Sequence, residues 1–222
     1  MKTKKYAISD IHGCAITFQE LLNKIGYSKE DELILLGDYI NKGPNSKKVI
    51  DTIIDLQNNG YKVTALKGNH EEMIFDSIEL EEWTAGAEET LKSFNISHFN
   101  QLSEKYIKWF SKLKTLSVDH EYVFVHAGLN FENDNPLDDL HAHCWIRDWY
   151  KSIDYDWLGN RKIIHGHVPQ KKHEIEKMLQ DFSETSLLDI DNGCHLKGEV
   201  GFGNLCCVEL SNLKLTFQQN ID

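Results

Sequence analysis

The chain has 222 residues, 41% of them hydrophobic, and a formal net charge of -11. This length and apolar content can bury a full core and predict one domain over residues 1–222. The negative charge repels nucleic acid and anionic membranes, so neither is an expected partner. A phosphate substrate would have to be attracted locally, by cations bound in a carboxylate-rich pocket.

Cysteine usage and hydropathy predict a cytoplasmic location. The cysteines are Cys14, Cys144, Cys194, Cys206 and Cys207. Their number is odd and they lack the paired short spacing of a structural zinc site, which indicates reduced thiols. The apolar stretch 6–8 after the basic first residues is too short for a signal-peptide core, and no membrane-length apolar run follows.

Three strand–loop–helix units are predicted first, with strands at 6–9, 33–36 and 63–66 and helices at 16–25, 49–56 and 71–80. Residues 83–113, which begin at Trp83, are predicted to be helical and amphipathic. Strands follow at 116–118 and 122–125 as a hairpin, then at 162–164, 187–190, 205–210 and 213–217. Segment 130–139 is expected to be a long loop, and 171–183 a polar excursion. This order predicts an α/β fold with two packed sheets and helices outside.

Residues of metal-ligand type follow most of the predicted strands. They lie in Asp10-Ile11-His12-Gly13, Gly37-Asp38-Tyr39, Gly68-Asn69-His70-Glu71, His126-Ala127-Gly128 and His165-Gly166-His167. The carboxyl ends of neighbouring strands converge on one crevice, so these side chains can meet. Carboxylates, an amide and imidazoles suit Mn²⁺, Fe or Zn²⁺. Either imidazole of the last motif could face the metals.

These motifs, with the segment 37–46, Trp145-Ile146-Arg147 and Asp191-Asn192-Gly193-Cys194, occur in the order of a known family. The chain resembles the calcineurin-like metallophosphoesterases of the phosphoprotein phosphatase branch. That branch includes small bacterial and phage serine/threonine phosphatases and symmetrical dinucleoside tetraphosphatases. The resemblance implies two packed mixed β-sheets flanked by helices, and two divalent metal ions, Mn²⁺ with Fe or Zn²⁺ as alternatives.

The resemblance also implies roles for individual residues. One metal would be bound by Asp10, His12 and Asp38, and the other by Asp38, Asn69, His126 and His167. His167 is preferred to His165 because the family motif is an apolar or aromatic residue, Gly and His, followed closely by Pro169. A hydroxide shared by the two metals would attack phosphorus directly.

The resemblance makes His70 the general acid and Arg147 a phosphate ligand. Two residues depart from the family pattern. Asn41 replaces an aspartate that orients and charges the general acid, so the protonated fraction of His70 should fall. Lys42 replaces an arginine; we favour a phosphate contact for it over a merely solvated lysine, although it cannot form the bidentate contact of arginine.

The leading hypothesis is a serine/threonine protein phosphatase that acts on a phosphorylated protein or peptide. The alternative is a symmetrical dinucleoside tetraphosphatase or another nucleotide phosphohydrolase, for which Asn41 is less unusual. A third interpretation is a non-catalytic phosphate-binding protein. The isolated histidines are interpreted as structural, namely His98, His120, His173 and His195, and 141–144 is expected to be a loop without a metal.

Overall fold

The structure is a computed structural model that describes residues 3–80 and 86–222. Nine strands form its two sheets. They are β1 (Lys5–Ile8), β2 (Glu32–Leu35), β3 (Lys62–Ala65), β4 (Leu116–Val118), β5 (Tyr122–Val125), β6 (Lys162–His165), β7 (Leu187–Asp189), β8 (Asn204–Glu209) and β9 (Lys214–Gln219). The predicted strands are therefore present, with ends displaced by one or two residues.

Nine α-helices are assigned within the described residues. They are α1 (Ala15–Ile25), α2 (Ser46–Asn58), α3 (Asn69–Leu80), α4 (Glu88–Phe94), α5 (Glu104–Ser111), α6 (Leu140–Trp145), α7 (Tyr155–Leu158), α8 (Lys172–Gln180) and α9 (Phe182–Thr185). Short 3-10 helices lie at Phe99–Gln101 and Tyr150–Ser152. No described helix combines the length and the apolar character needed to cross a bilayer.

Both sheets are mixed. The first has the strand order β3-β2-β1-β8-β9, in which β1, β2 and β3 are parallel and β8 runs antiparallel to β1. The second has the order β4-β5-β6-β7, with an antiparallel hairpin at β4 and β5 and parallel pairing from β5 to β7. Each sheet therefore has parallel strands whose carboxyl ends carry loops, and such loops are where α/β proteins place their sites.

The two sheets pack face to face because alternate residues of each strand are apolar. One buried cluster joins Ala7 and Val208 of the first sheet to Phe124, Ile164 and Leu188 of the second. The opposite face of the first sheet packs on the helices α1 to α5, and that of the second on the segment from 129 to 158. The result is two mixed sheets with helices on the outer faces.

Three segments differ from the sequence prediction. The region 83–113, predicted to be helical, contains α4, a 3-10 helix and α5 with a break after α4, where Asn95 adopts a left-handed conformation with φ 55°. Trp83 lies outside the described residues. The polar excursion at 171–183 forms α8 and α9, anchored by the buried side chains of Ile175 and Phe182. Residues 141–144, expected in a loop, form most of α6.

Candidate metal centre

Loops from the ends of five parallel strands meet at one edge of the two packed sheets. Those after β1, β2 and β3 carry Asp10, Asp38 and Asn69, and those after β5 and β6 carry His126 and His167. All five side chains are buried. The topology therefore brings together residues that are more than 150 positions apart in the chain.

Asp38 lies between two groups of imidazoles. One group is His12, Asp38 and His70, the other is Asp38, His126 and His167, and within each the ligand-type atoms lie within 4.8 Å of one another. Asp38 Oδ2 is 3.5 Å from His12 Nε2, and Asp38 Oδ1 is 3.4 Å from His126 Nε2. One carboxylate thus has an oxygen toward each group, as a residue bridging two cations requires.

Asp10 and Asn69 complete the two groups. Asp10 Oδ1 is 3.9 Å from His12 Nε2 and has no hydrogen-bond partner among the described residues, while Asp10 Oδ2 accepts from the backbone of His167. Asn69 Oδ1 is 3.1 Å from both His126 Nε2 and His167 Nδ1. Every residue predicted to hold a metal is therefore in the cluster.

The protonation pattern of the histidines fits bound cations. His12 Nδ1 donates to the carbonyl of Ile40 and His126 Nδ1 to that of Leu36, so both rings direct an Nε2 lone pair toward Asp38. Lone pairs that face a carboxylate repel it unless a cation lies between them. Burial lowers the pKa of both imidazoles, which favours the neutral form that binds metals.

The carboxylates give the same indication. Burial, and then the charge of Asp10, raise the pKa of Asp38. The carboxylates of Asp10 and Asp38 are both buried, and Asp10 Oδ1 has no hydrogen-bond partner among the described residues. Two such charges are unfavourable without a counter-charge, which divalent cations would provide. The donor set of carboxylate, amide and imidazole therefore fits a pair of divalent metal ions.

His165 and His167 have separate environments. His167 belongs to the cluster, whereas His165 Nδ1 donates to the carbonyl of Gly166 and its Nε2 accepts from the hydroxyl of Tyr150 at 3.0 Å. His143 is likewise apart from the cluster, with Nδ1 at Thr115 Oγ1 and Nε2 at the carbonyl of Pro136.

The backbone of the centre is held in an unusual conformation. Ten described residues other than glycine have positive φ. Six of them are candidate site residues, namely Asp10, His12, Asp38, Asn41, Lys42 and His167. Such conformations cost free energy and persist only where surrounding contacts enforce them. The loops are therefore held in position for their side chains.

Glu71 holds the loop of Asp38 in its conformation. Its carboxylate accepts hydrogen bonds from the backbone amides of Asp38 at 2.8 Å, Tyr39 at 2.8 Å and Gly68 at 3.0 Å. Burial, and then the charge of Asp38, raise the pKa of Glu71 to about 7. A Cβ at Gly68 would collide with Asp38, so only glycine allows these two loops to approach so closely.

Asn41 lies against the candidate general acid. Its amide nitrogen is 2.8 Å from His70 Nδ1, and Thr90 Oγ1 donates to its amide oxygen at 2.7 Å. His70 Nδ1 therefore accepts, and the proton of the ring is on Nε2, which lies 3.7 Å from Asp38 Oδ2. Burial, and then the charge of Lys42, lower the pKa of His70 to about 3. The ring is a neutral hydrogen-bond donor.

Two cationic side chains reach the cluster from outside. Lys42 is exposed, and its Nζ is 3.1 Å from His12 Nε2. Arg147 is also exposed and makes no hydrogen bond or ion pair with any residue the structure describes. Burial, then the charges of His126 and Arg147, lower the pKa of His167. Lys42 therefore lies beside the first group of ligands, and the charge of Arg147 acts on the second.

His195, interpreted from the sequence as structural, lies beside the cluster. Its ring centroid is 4.8 Å from that of His12, and its Nδ1 is buried without a hydrogen-bond partner among the described residues. Burial, and then Lys42, lower its pKa to about 4. The sequence contained one signal, because His195 directly follows the motif 191–194, yet it was interpreted as an isolated structural histidine.

The geometry and the donor set are those expected of a metal-dependent phosphoesterase. The chain belongs to the calcineurin-like phosphoesterase family, whose sequence profile matches residues 4–196. The same fold is found in a protein serine/threonine phosphatase from Saccharomyces cerevisiae, with a TM-score of 0.70 and 15% identity over 99% of this chain and 81% of that one.

Curated relatives of this chain include proteins named as dinucleoside tetraphosphatases. The chain is 34% identical to the symmetrical bis(5'-nucleosyl)-tetraphosphatase of Nitrosomonas europaea over 56% of this chain and 44% of that protein. It is 26% identical to the asymmetrical bis(5'-nucleosyl)-tetraphosphatase PrpE of Anoxybacillus flavithermus over 87% of this chain and 86% of that protein. The chain thus spans less than half the length of the symmetrical relative.

Proposed function

We propose that this chain hydrolyses a phosphoanhydride bond of a dinucleoside polyphosphate. The observation that carries the proposal is the contact between the Asn41 amide and His70 Nδ1. Because this contact leaves His70 neutral, the site can donate a hydrogen bond to a leaving oxygen but is poorly suited to protonate it fully.

The leaving group decides how much acid catalysis is needed. A departing nucleotide leaves as a phosphate, whose second pKa is about 6, so it needs little protonation at neutral pH. The alkoxide of serine or threonine is far more basic, closer to hydroxide, whose conjugate acid has a pKa of about 15.7. Asn41 therefore favours the nucleotide substrate over the phosphoprotein substrate that the sequence analysis had put first.

The remaining residues have the following proposed roles. One divalent cation is held by Asp10, His12 and Asp38, and a second by Asp38, Asn69, His126 and His167. Such cations, with Mn²⁺ the first choice and Fe or Zn²⁺ the alternatives, neutralise phosphate charge and lower the pKa of water. Arg147 and Lys42 bind phosphate oxygens, and His70 Nε2–H donates to the leaving oxygen.

Two further observations support the proposal. The relatives named as dinucleoside tetraphosphatases include one that matches over most of its own length. The buried cluster between the sheets joins β1 to β8, from opposite ends of the sequence, which supports residues 1–222 as one catalytic unit.

The test is hydrolysis by the metal-reconstituted protein. Diadenosine tetraphosphate, a phosphothreonine peptide and p-nitrophenyl phosphate are compared with Mn²⁺, Fe²⁺ or Zn²⁺, and metal content is measured. We expect kcat/KM for the dinucleotide to exceed that for the peptide by about tenfold or more. A preference for the peptide would establish a protein phosphatase, and full metal loading without turnover of any substrate would establish a binding protein.

A matched pair of variants checks the mechanism. Asp38→Asn weakens both proposed metal sites, so metal content and turnover should fall together, turnover by at least about a hundredfold. Asp76→Asn changes an exposed carboxylate on α3 and should alter neither. Two metals retained in Asp38→Asn with full turnover would refute the shared-ligand arrangement.

A further inference from the structure

A cavity of about 520 Å³ opens beside the candidate metal centre. Its wall includes Arg147, Tyr150, Lys151, Val168 and Gln170. The volume is within the range of small-molecule sites. The cavity borders the second group of ligands, because Ala127 and Val168 of its wall directly follow His126 and His167 in the chain. A substrate held at the centre can therefore extend into it.

Tyr150 is fixed at the wall of this cavity. Its hydroxyl donates to His165 Nε2 at 3.0 Å, and the other nitrogen of that ring donates to the carbonyl of Gly166. The Tyr150 ring also packs edge-on against Trp149, with centroids 5.1 Å apart. Yet 39% of Tyr150 is exposed. A partly exposed aromatic ring held by a hydrogen bond is preorganised for a flat ligand, since little side-chain entropy is lost on binding.

The charges around the cavity suit an anionic ligand. Two cations, Arg147 and Lys151, border it against one carboxylate, Asp148, whereas the whole chain has a net charge of -11. The apolar part of the wall, Ile146 and Val168, lies beside these charges. An aromatic and apolar surface next to paired cations matches the chemistry of a nucleoside joined to phosphate.

On the basis of the proposed function, we propose that this cavity binds the nucleotide arm that remains on the attacked phosphorus. The base contacts Tyr150, and phosphate oxygens of the arm contact Arg147 and Lys151. The position of the cavity, beside the group of ligands that lacks His70, supports this assignment. His70, the proposed donor to the leaving oxygen, belongs to the group with His12, whereas Ala127 and Val168 of the cavity wall adjoin His126 and His167 of the other group.

The test compares two substrates that share one leaving group. Thymidine 5'-monophosphate p-nitrophenyl ester has a nucleoside on the attacked phosphorus, and p-nitrophenyl phosphate has none. Both release p-nitrophenolate, and their difference in charge and intrinsic reactivity is the same for every variant, so a change in the ratio of their kcat/KM values between native protein and variant reports on the retained arm. We expect Tyr150→Ala to lower this ratio about tenfold, the size expected for loss of an aromatic contact with a base. Tyr150→Phe keeps the ring and should lower the ratio by less than about threefold.

An inhibition measurement provides an independent check. Adenosine monophosphate and inorganic phosphate should both inhibit hydrolysis of p-nitrophenyl phosphate. Tyr150→Ala and Lys151→Ala should weaken inhibition by the nucleotide about five- to tenfold more than inhibition by phosphate. Tyr155→Ala is the matched control, because Tyr155 is 52% exposed and lies outside the cavity wall; it should change neither ratio. Thermal melting confirms that each variant is folded.

The outcomes separate this proposal from the proposed function. If Tyr150→Ala leaves the substrate ratio and the inhibition ratio unchanged while diadenosine tetraphosphate remains the preferred substrate, the cavity proposal is refuted and the function stands. If the phosphothreonine peptide is preferred but both ratios fall in Tyr150→Ala, the function is wrong and the cavity still binds a nucleotide arm. A fall in both ratios with the dinucleotide preferred supports both.

Discussion

The amide nitrogen of Asn41 lies 2.8 Å from His70 Nδ1, and a threonine hydroxyl, that of Thr90, donates to the oxygen of the same amide at 2.7 Å. The amide is therefore held between the two residues, and it keeps the proton of His70 on Nε2. For the ring to become a cation, the amide would have to turn its oxygen toward Nδ1 and give up its bond from Thr90. Asn41, which stands where the family pattern has an aspartate, therefore affects which leaving groups the site can accept.

Asn41→Asp should make the enzyme less sensitive to the leaving group. A carboxylate can accept a hydrogen bond from Nδ1–H, so His70 can carry a second proton and transfer one to a basic leaving oxygen. We expect kcat/KM for the phosphothreonine peptide to rise about tenfold relative to that for diadenosine tetraphosphate. The plot of log kcat/KM against leaving-group pKa for a series of aryl phosphates should also become shallower.

Asn41→Ala is the control for this change, since it removes the contact without adding a charge. It should lower turnover of every substrate without flattening the plot. An unchanged slope in Asn41→Asp would show that residue 41 does not control proton donation.

Lys42→Arg should strengthen phosphate binding. Lys42 is exposed and its ammonium is 3.1 Å from His12 Nε2, a position next to the proposed metal and phosphate sites. The planar fork of arginine can bind two phosphate oxygens at once, whereas lysine acts as a point charge. The inhibition constant for inorganic phosphate should fall about three- to tenfold. Lys48 is an exposed lysine on α2, and Lys48→Arg should leave the inhibition constant unchanged. An unchanged constant in Lys42→Arg would show that Lys42 is solvated and does not contact phosphate.

Glu71→Gln should destabilise the protein through the loop of Asp38. Both carboxylate oxygens of Glu71 accept from backbone amides, so the NH₂ group of glutamine must face at least one N–H donor. Loss of a charge-assisted buried bond and the new mismatch should lower the free energy of unfolding by about 2–4 kcal/mol. Urea denaturation measures this change, and metal affinity should fall with it. Glu79→Gln, which is exposed on α3, serves as control; equal stability of the two variants would contradict this role.

Asp222→Ala should weaken the start of helix α1. The N-cap residue of this helix, Cys14, makes no side-chain capping bond. Instead the Asp222 carboxylate accepts from the backbone amides of Ile16 at 3.0 Å and Thr17 at 2.9 Å. Its loss should lower the free energy of unfolding by about 1–2 kcal/mol, the usual cost of removing a helix cap. Asp134→Ala, at an exposed loop position, should cost less than about 0.5 kcal/mol in the same urea titration.

Local patterns in the sequence predicted the nine strands of the described residues and the loops that carry the site. Strands such as β2 and β6 are short apolar runs next to glycine-containing loops, and both properties are local. Helix α8 was missed because its apolar side chains, the buried Ile175 and the partly buried Met178 and Leu179, stand among charged and polar residues. The break after α4 depends on the left-handed turn at Asn95, which a search for helical periodicity alone does not detect.

The sequence by itself determined the kinds of group available for chemistry, because residue type fixes whether a side chain offers a carboxylate, an imidazole or an amide. It also indicated the fold class, since strands made of continuous apolar runs expose apolar side chains on both faces of a sheet, and both faces must then be covered by other layers. Only the tertiary structure decided that His195 lies against His12 and that Tyr150 borders a cavity. These relationships depend on loops from different strands meeting in space, which spacing along one chain does not specify.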